Sequence, residues 1–144
     1  MELIDYPNYL IYEDGKVFSE KRNKFLKPYI DGYGYYRLCL CKNGKSKTYK
    51  LHRLIAIHYI QNPENKPFID HINRIKTDNR IENLRWVTSS ENNQNKGIAN
   101  NNTSGIKNIH YVNDKWRYKK TINGKETQKY FKTKDEAIEF KNSL

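Results

Sequence analysis

Cysteine is nearly absent from this chain, with only Cys39 and Cys41 among 144 residues. At i, i+2 on a strand the two share a face and do not easily bond each other. No second cysteine pair stands by to complete a structural zinc site, so both are expected as reduced thiols. Long apolar runs are also lacking. The longest, LIAIHYI at 54–60, is far too short to cross a bilayer. Met1–Leu10 carries Glu2 and Asp5 and does not read as a signal peptide, so a soluble, cytoplasmic protein with no membrane partner is expected. Apolar residues make up 36% of the chain, which implies modest cores. Acidic side chains are outnumbered: 16 Asp and Glu stand against 27 Lys and Arg, a net charge of +11. The excess is spread as +3 over residues 1–48, +3 over 49–97 and +5 over 98–144. A polyanion is the natural partner for such a chain, because each phosphate it neutralises releases counterions.

Residues 8–50 read as β structure. YLIYEDGKVFS places an Asp14-Gly15 turn between two runs rich in Ile, Tyr, Val and Phe, and YGYYRLCLCKNGKSKTYKL repeats the pattern around Asn43-Gly44. Tyr36, Leu38 and Leu40 form an apolar face, while Arg37, Lys42, Lys45 and Lys47 are candidates to touch a nucleic-acid backbone. Residues 51–60 change period: Leu51, Leu54, Ile55 and Tyr59 make a helical stripe that Asn62-Pro63 ends. His52 and His58 on that helix have no carboxylate or cysteine at ligand spacing, and a packed or solvent-facing role is expected for both.

Residues 68–95, FIDHINRIKTDNRIENLRWVTSSENNQN, hold more polar chemistry than so short a fold needs. Phe68–Ile72 and Leu84–Val87 read as strands joined by a polar loop. Thr88-Ser89-Ser90-Glu91 has the form of a capping box opening a helix that runs to about Lys96. Trp86 is expected in the core.

The residues D-H-I at 70–72, N-L-R-W-V-T at 83–88 and E-N at 91–92 resemble the HNH endonuclease family, whose fold is a ββα unit gripping one divalent metal. Y-K-L-H-R-L-I-A (49–56) and N-P-E-N-K-P (62–67) are similar to the segment that precedes this motif in phage-encoded and intron-associated members, and residues 3–30 resemble a small module often found ahead of them. The resemblance implies that Asp70 and Asn92 give oxygens to Mg²⁺ or Mn²⁺, hard cations that prefer such donors. It also implies that His71 is the general base for an attacking water and that Asn83 braces the loop that positions it. Arg85 is a further candidate phosphate contact. The pattern departs from many relatives in two places: Asn92 stands where histidine is common, and Asn73-Arg74-Ile75 stands where an Asp-Gly turn is usual.

Gly97–Gly105, small and polar, reads as a flexible linker with 98–104 at its centre. Beyond it, Ile106–Val112, Lys115–Ile122 and Thr127–Phe131 read as strands turned by Asn113-Asp114 and Asn123-Gly124. Thr133-Lys134-Asp135-Glu136 opens a helix with Ala137, Phe140 and Leu144 on one side. The cadence G-I-K-N-I-H-Y, K-W-R-Y, N-G-K, Y-F-K-T-K-D-E-A over 104–144 resembles the DNA-binding domain of plant ethylene-response regulators. Lys115, Arg117 and Lys119 would offer cations from one sheet face, with His110, Gln128 and Tyr130 beside them, while Trp116, Tyr118 and Ile122 pack on the helix.

The expectation is therefore an α+β protein with four segments. These are a β-rich DNA-contacting module (1–48), a ββα-metal HNH nuclease core (49–97), a linker (98–104) and a three-stranded antiparallel sheet plus helix that binds DNA (105–144). Its expected function is a metal-dependent endonuclease, of homing type, hydrolysing double-stranded DNA in a bacterial or phage-infected cell to leave 5′-phosphate and 3′-hydroxyl ends. No small-molecule cofactor is expected, and the protein is a monomer or homodimer. Two other readings stay open on the sequence: a non-catalytic DNA-binding regulator, and a structure-specific or RNA-directed nuclease.

Overall fold

Asp14-Gly15 and Asn43-Gly44 both turn the chain. In the computed structural model, which describes residues 1–144, β2 (Tyr6–Ile11) pairs antiparallel with β3 (Val17–Ser19), and Ile11 faces Val17 across the first turn. β1 (Glu2–Leu3) and β4 (Lys24–Phe25) complete a four-stranded sheet in the order β1-β2-β3-β4. β5 (Tyr29–Ile30), β6 (Tyr36–Lys42) and β7 (Lys45–Lys50) form a second sheet. Asn43 (φ 50°) and Gly44 (φ 72°) both lie at positive φ in its hairpin, as a type I′ turn demands.

α1 (Leu51–Tyr59) follows β7 directly, and its buried stripe is Leu51, His52, Leu54, Ile55 and Ala56. The expected period holds, but a histidine joins the apolar side. β8 (Phe68–His71) then pairs antiparallel with β9 (Leu84–Val87), the latter entered through a 3₁₀ turn at Ile81–Asn83. Trp86 is half-buried and donates its indole N–H to the Ile60 carbonyl at 3.1 Å.

The chain forms two compact units, Met1–Ser89 and Ser90–Leu144. Residues 1–48 do not make a core of their own. Leu3, Tyr9, Ile11, Val17, Leu38 and Leu40 share one buried cluster with Leu51, Leu54 and Ile55 of α1 and Leu84 of β9. A segment with so few apolar side chains cannot bury enough surface alone, so a boundary at 48/49 divides a single hydrophobic cluster. The expected nuclease segment, 49–97, likewise runs past the end of the first unit.

The second unit contains most of α2 (Ser89–Asn95) and then β10 (Ile109–Val112), β11 (Lys115–Ile122) and β12 (Lys125–Phe131), a three-stranded antiparallel sheet, with α3 (Lys134–Asn142) after it. Asn113 and Asp114 (φ 50° and 60°) and Asn123 and Gly124 (φ 48° and 79°) make its two hairpin turns. Thr133 and Glu136 form the expected capping box at the start of α3. Ile109, Tyr118 and Ala137 are the buried centre, with Trp116, Phe131 and Phe140 packed on it. Leu144 is not part of this core; it lies beyond the helix and is 71% exposed.

Residues 98–104, expected as a flexible linker, are instead tied into the second unit. The Asn102 side chain donates to the carbonyls of Ile106 and Ile109, and the buried Ser104 hydroxyl donates to Ile109 at 2.5 Å. Polar composition indicates a loop here, but those same side chains supply the bonds that order it. Cys39 and Cys41 are both free. No helix is long and apolar enough to cross a membrane.

Gly15 is where the first hairpin meets α1. It sits at φ +82°, and a Cβ there would come within 2.9 Å of Ile55 Cδ1, a fully buried core side chain. Gly15→Ala is expected to cost about 1–3 kcal/mol from left-handed strain plus overpacking. Chemical denaturation would show it as a lower midpoint with an unchanged slope.

Candidate active site

The site of the first unit is built on the β8–β9 pair and the loop between its strands. Asp70 and His71 are consecutive on β8 and both are buried, at 7% and 5% exposure. Asp70 stands opposite Arg85 in the ladder. The Arg85 Nε and Nη2 both donate to Asp70 Oδ2, at 3.1 and 2.9 Å, so the guanidinium expected to reach a phosphate is held on the carboxylate, with the arginine side chain 47% exposed.

His71 Nε2 lies 2.8 Å from Asn79 Oδ1. An amide oxygen only accepts, so Nε2 carries the proton, and in the neutral ring Nδ1 holds the lone pair. The tautomer is thus set by a residue in what the sequence shows only as a polar loop. Asn83 is the expected brace. Its Nδ2 donates to Asn73 Oδ1 (2.9 Å) and to the Asp78 carbonyl (2.8 Å), and its Oδ1 accepts from the Asn73 backbone N–H (3.0 Å). Arg74 takes φ +64° in this loop, the left-handed conformation that an Asp-Gly turn would supply without strain. Asp78 is held far below the usual carboxylate range, first by Arg80 and then by Asn73.

Two further rings enclose His71. His52 of α1 lies edge-on to it with ring centroids 4.9 Å apart, and Tyr35 stands 5.2 Å from His52 and 6.0 Å from His71. His52 is buried and its Nδ1 has no hydrogen-bond partner. Burial, reinforced by His71, pushes its pKa down to about 3. His58, by contrast, is structural as expected: the Ile4 N–H donates to Nε2, so Nδ1–H donates to the Leu54 carbonyl. Tyr35 is fixed through Asp31, whose carboxylate accepts from the Tyr33 and Tyr35 N–H groups and from Arg37 Nε. The Tyr35 N–H is the main cause, with Arg37 beside it, of a pKa of about 2 for Asp31. Arg37 is therefore already engaged by a carboxylate.

Asn92 is half-buried on α2, in the second unit. Also there, Arg117 faces His110 on one side and Tyr130 on the other across the ladders, and Lys119 faces Gln128. These five side chains share one sheet face. Lys119 pairs with Glu126 at 2.9 Å, and Arg117 Nε is buried with no hydrogen-bond partner. Lys115 is exposed at the start of the same strand.

Comparison with known proteins bears directly on this arrangement. An HNH endonuclease family model matches residues 49–94. An uncharacterised HNH endonuclease of Acanthamoeba polyphaga mimivirus is 47% identical over 85 residues, 59% of this chain and 26% of the relative. The DNA endonuclease I-HmuI of Bacillus phage SP01 is 41% identical over 96 residues, 65% of this chain and 55% of the relative. H-N-H endonuclease F-TflII of Escherichia phage T5 is 31% identical over 111 residues, covering 76% and 58% respectively. A solved structure describing DNA binding and cleavage by the HNH homing endonuclease I-HmuI matches with a TM-score of 0.64 and 30% identity, over 97% of this chain and 81% of that one. The chain belongs to the HNH endonuclease family. It spans about a quarter to just over half the length of the curated relatives described above.

HNH endonucleases generally depend on a divalent metal, and the donors here suit a hard one. Asp70 is a buried carboxylate that accepts from the Arg85 guanidinium, and a carboxylate offers oxygen, the donor such a cation prefers, rather than sulfur.

Sequence reasoning missed Asn79 and Tyr35, and it expected His52 to be packed or solvent-facing without placing it against His71. The i, i+3, i+4 count on α1 omitted His52 because histidine is not scored as apolar. Two measurements test these assignments. His52 titrates near 6.5 when unfolded and near 3 when folded, so the unfolded chain binds the extra proton in between, and stability should fall as pH drops from 6.5 toward 3. In His52→Gln that part of the slope of unfolding free energy against pH should vanish. Separately, ¹⁵N NMR should show His71 as the Nε2–H tautomer in the wild type and as a mixture in Asn79→Ala.

Proposed function

We propose that this chain is a metal-dependent endonuclease of the phage homing type that hydrolyses phosphodiester bonds in double-stranded DNA, leaving 5′-phosphate and 3′-hydroxyl ends. The observation that carries the reading is His71, recessed beside Asp70 with its Nε2 proton committed to Asn79, which leaves Nδ1 as the basic nitrogen. A base recessed in this way suits a mechanism in which one water lies between the ring and the phosphorus, at about 3 Å from the nitrogen.

In this mechanism His71 Nδ1 takes a proton from that water as its oxygen bonds to phosphorus and the bond to the 3′ oxygen breaks. Asn83 keeps the loop, and with it Asn79, at the distance that fixes the tautomer. Asp70, with Asn92 as a second oxygen donor, would hold Mg²⁺ or Mn²⁺, and such a cation would stabilise charge on the phosphoryl group and the departing oxygen. Arg85 neutralises Asp70 and has an exposed edge to offer a phosphate. In the second unit the Lys115, Arg117 and Lys119 face serves as a DNA-binding surface of the ethylene-response type. Arg37 contributes from the second sheet once it shares its charge between Asp31 and the backbone of DNA. A monomer would nick one strand, and a dimer would cut both.

Supercoiled plasmid incubated with Mg²⁺ should convert to nicked or linear form, and EDTA should abolish the conversion. His71→Ala should slow it about 10²–10⁴-fold, the usual worth of a positioned base. Failure of the wild type to cut with any divalent ion would leave only a DNA-binding protein, and competition by branched DNA or RNA would redirect the substrate class.

A further inference from the structure

Two lysines that the mechanism does not use converge on the ring beside its base. Lys50 Nζ lies 4.5 Å and Lys76 Nζ 4.9 Å from the Tyr35 ring centroid, so the two ammonium groups are no more than about 9.4 Å apart. They come from separate elements, the last residue of β7 and the β8–β9 loop. Lys76 is fixed further by donating to the Tyr33 carbonyl at 2.9 Å.

Neither lysine pairs with a carboxylate, although the acids nearby are numerous. Asp31 is taken by Arg37 and backbone N–H groups, Asp70 by Arg85, and Asp78 by Arg80. Elsewhere in this chain cations such as Lys16, Lys66 and Lys119 have acids within 4 Å. A ring face holds an ammonium in place without cancelling its charge. Two like charges kept close and uncancelled repel each other, and an anion between them relieves the repulsion. The buried, unpartnered Nδ1 of His52, whose ring contacts Tyr35, is a second polar group in the same cluster that the protein leaves unsatisfied.

We propose that Lys50 and Lys76, carried on Tyr35, form a seat for a backbone phosphate of the strand being cut, next to the one that faces His71. The seat rests on the nuclease reading for its role, though binding can be measured without cleavage. It is a positioning device: it fixes the register of the strand and takes no part in bond breaking.

The test uses Lys50→Gln/Lys76→Gln in the full chain, with Lys24→Gln/Lys27→Gln, an equal loss of charge on β4 and just after it, as control. Binding of a 20-base-pair mixed-sequence duplex is followed by fluorescence anisotropy in EDTA across a salt series. The seat variant should bind about tenfold more weakly, with the slope of log K against log salt less steep by about 1, and the control should change little. On supercoiled plasmid with Mg²⁺ the seat variant should raise KM and keep kcat within a few-fold. Unchanged affinity and slope, an equal loss in the control, or a fall in kcat at constant KM would each overturn the proposal. If the wild type cuts nothing, the nuclease reading fails while the anisotropy comparison still decides the seat. A circular dichroism melt of each variant excludes unfolding as the cause of weak binding.

Discussion

One amide holds the loop on which the candidate site depends. Asn83 is buried at 5% exposure, at the point where the 3₁₀ turn becomes β9, and its side chain makes three hydrogen bonds across the loop between the strands. A buried amide left without those partners would cost about 1–3 kcal/mol, so the loop conformation and the burial of Asn83 enforce each other. What the loop carries follows from that closure. Asn79 reaches His71 from one part of it and Lys76 reaches Tyr35 from another, and Arg74 is kept at φ +64° ahead of both. Strain at one residue is sustained because its neighbours are over-determined.

The parts of the fold that could be read from the sequence are those set by local chemistry. The Asn43-Gly44 and Asn123-Gly124 pairs declare their hairpins because few other residues tolerate consecutive positive φ. Thr133 and Glu136 declare a helix start because they satisfy each other's backbone donors. That the Asn83 side chain bonds across the loop, and that His58 is packed or solvent-facing, was also legible there. The rest was not, for a common reason. The joining of residues 1–48 to α1, the approach of His52 to His71, and the ordering of 98–104 by Asn102 and Ser104 all depend on pairings across the chain. A histidine in an apolar stripe and an asparagine in a polar loop carry no local sign that they point at one imidazole.

His52 shows how the surroundings divide labour between identical side chains. Its burial in α1 keeps it neutral well below the pH at which an exposed imidazole takes up a proton. The neutral ring packs edge-on to His71, with centroids 4.9 Å apart, and limits its rotation. The same histidine is the reason the site cannot be indifferent to acid, because the energy that keeps His52 uncharged is drawn from folding.

Charge is distributed in this unit by a simple rule that bears on how it meets a polyanion. The buried or partly buried carboxylates Asp31, Asp70 and Asp78 each receive a guanidinium, which matches a carboxylate with several donors at once. Arg37, Arg80 and Arg85 are thereby engaged inside the protein. Near His71, Lys50 and Lys76 are compact charges on flexible stems that sit on an aromatic ring rather than on an acid. Such charges follow a phosphate backbone without reading bases, since a single ammonium has no planar fork to match against a base edge. Under the proposed function, selection of a sequence would come from side chains away from this cluster. The outward face of β10–β12, where Arg117, His110, Tyr130 and Gln128 are aligned across three strands, has the variety of donors and acceptors that such a task requires.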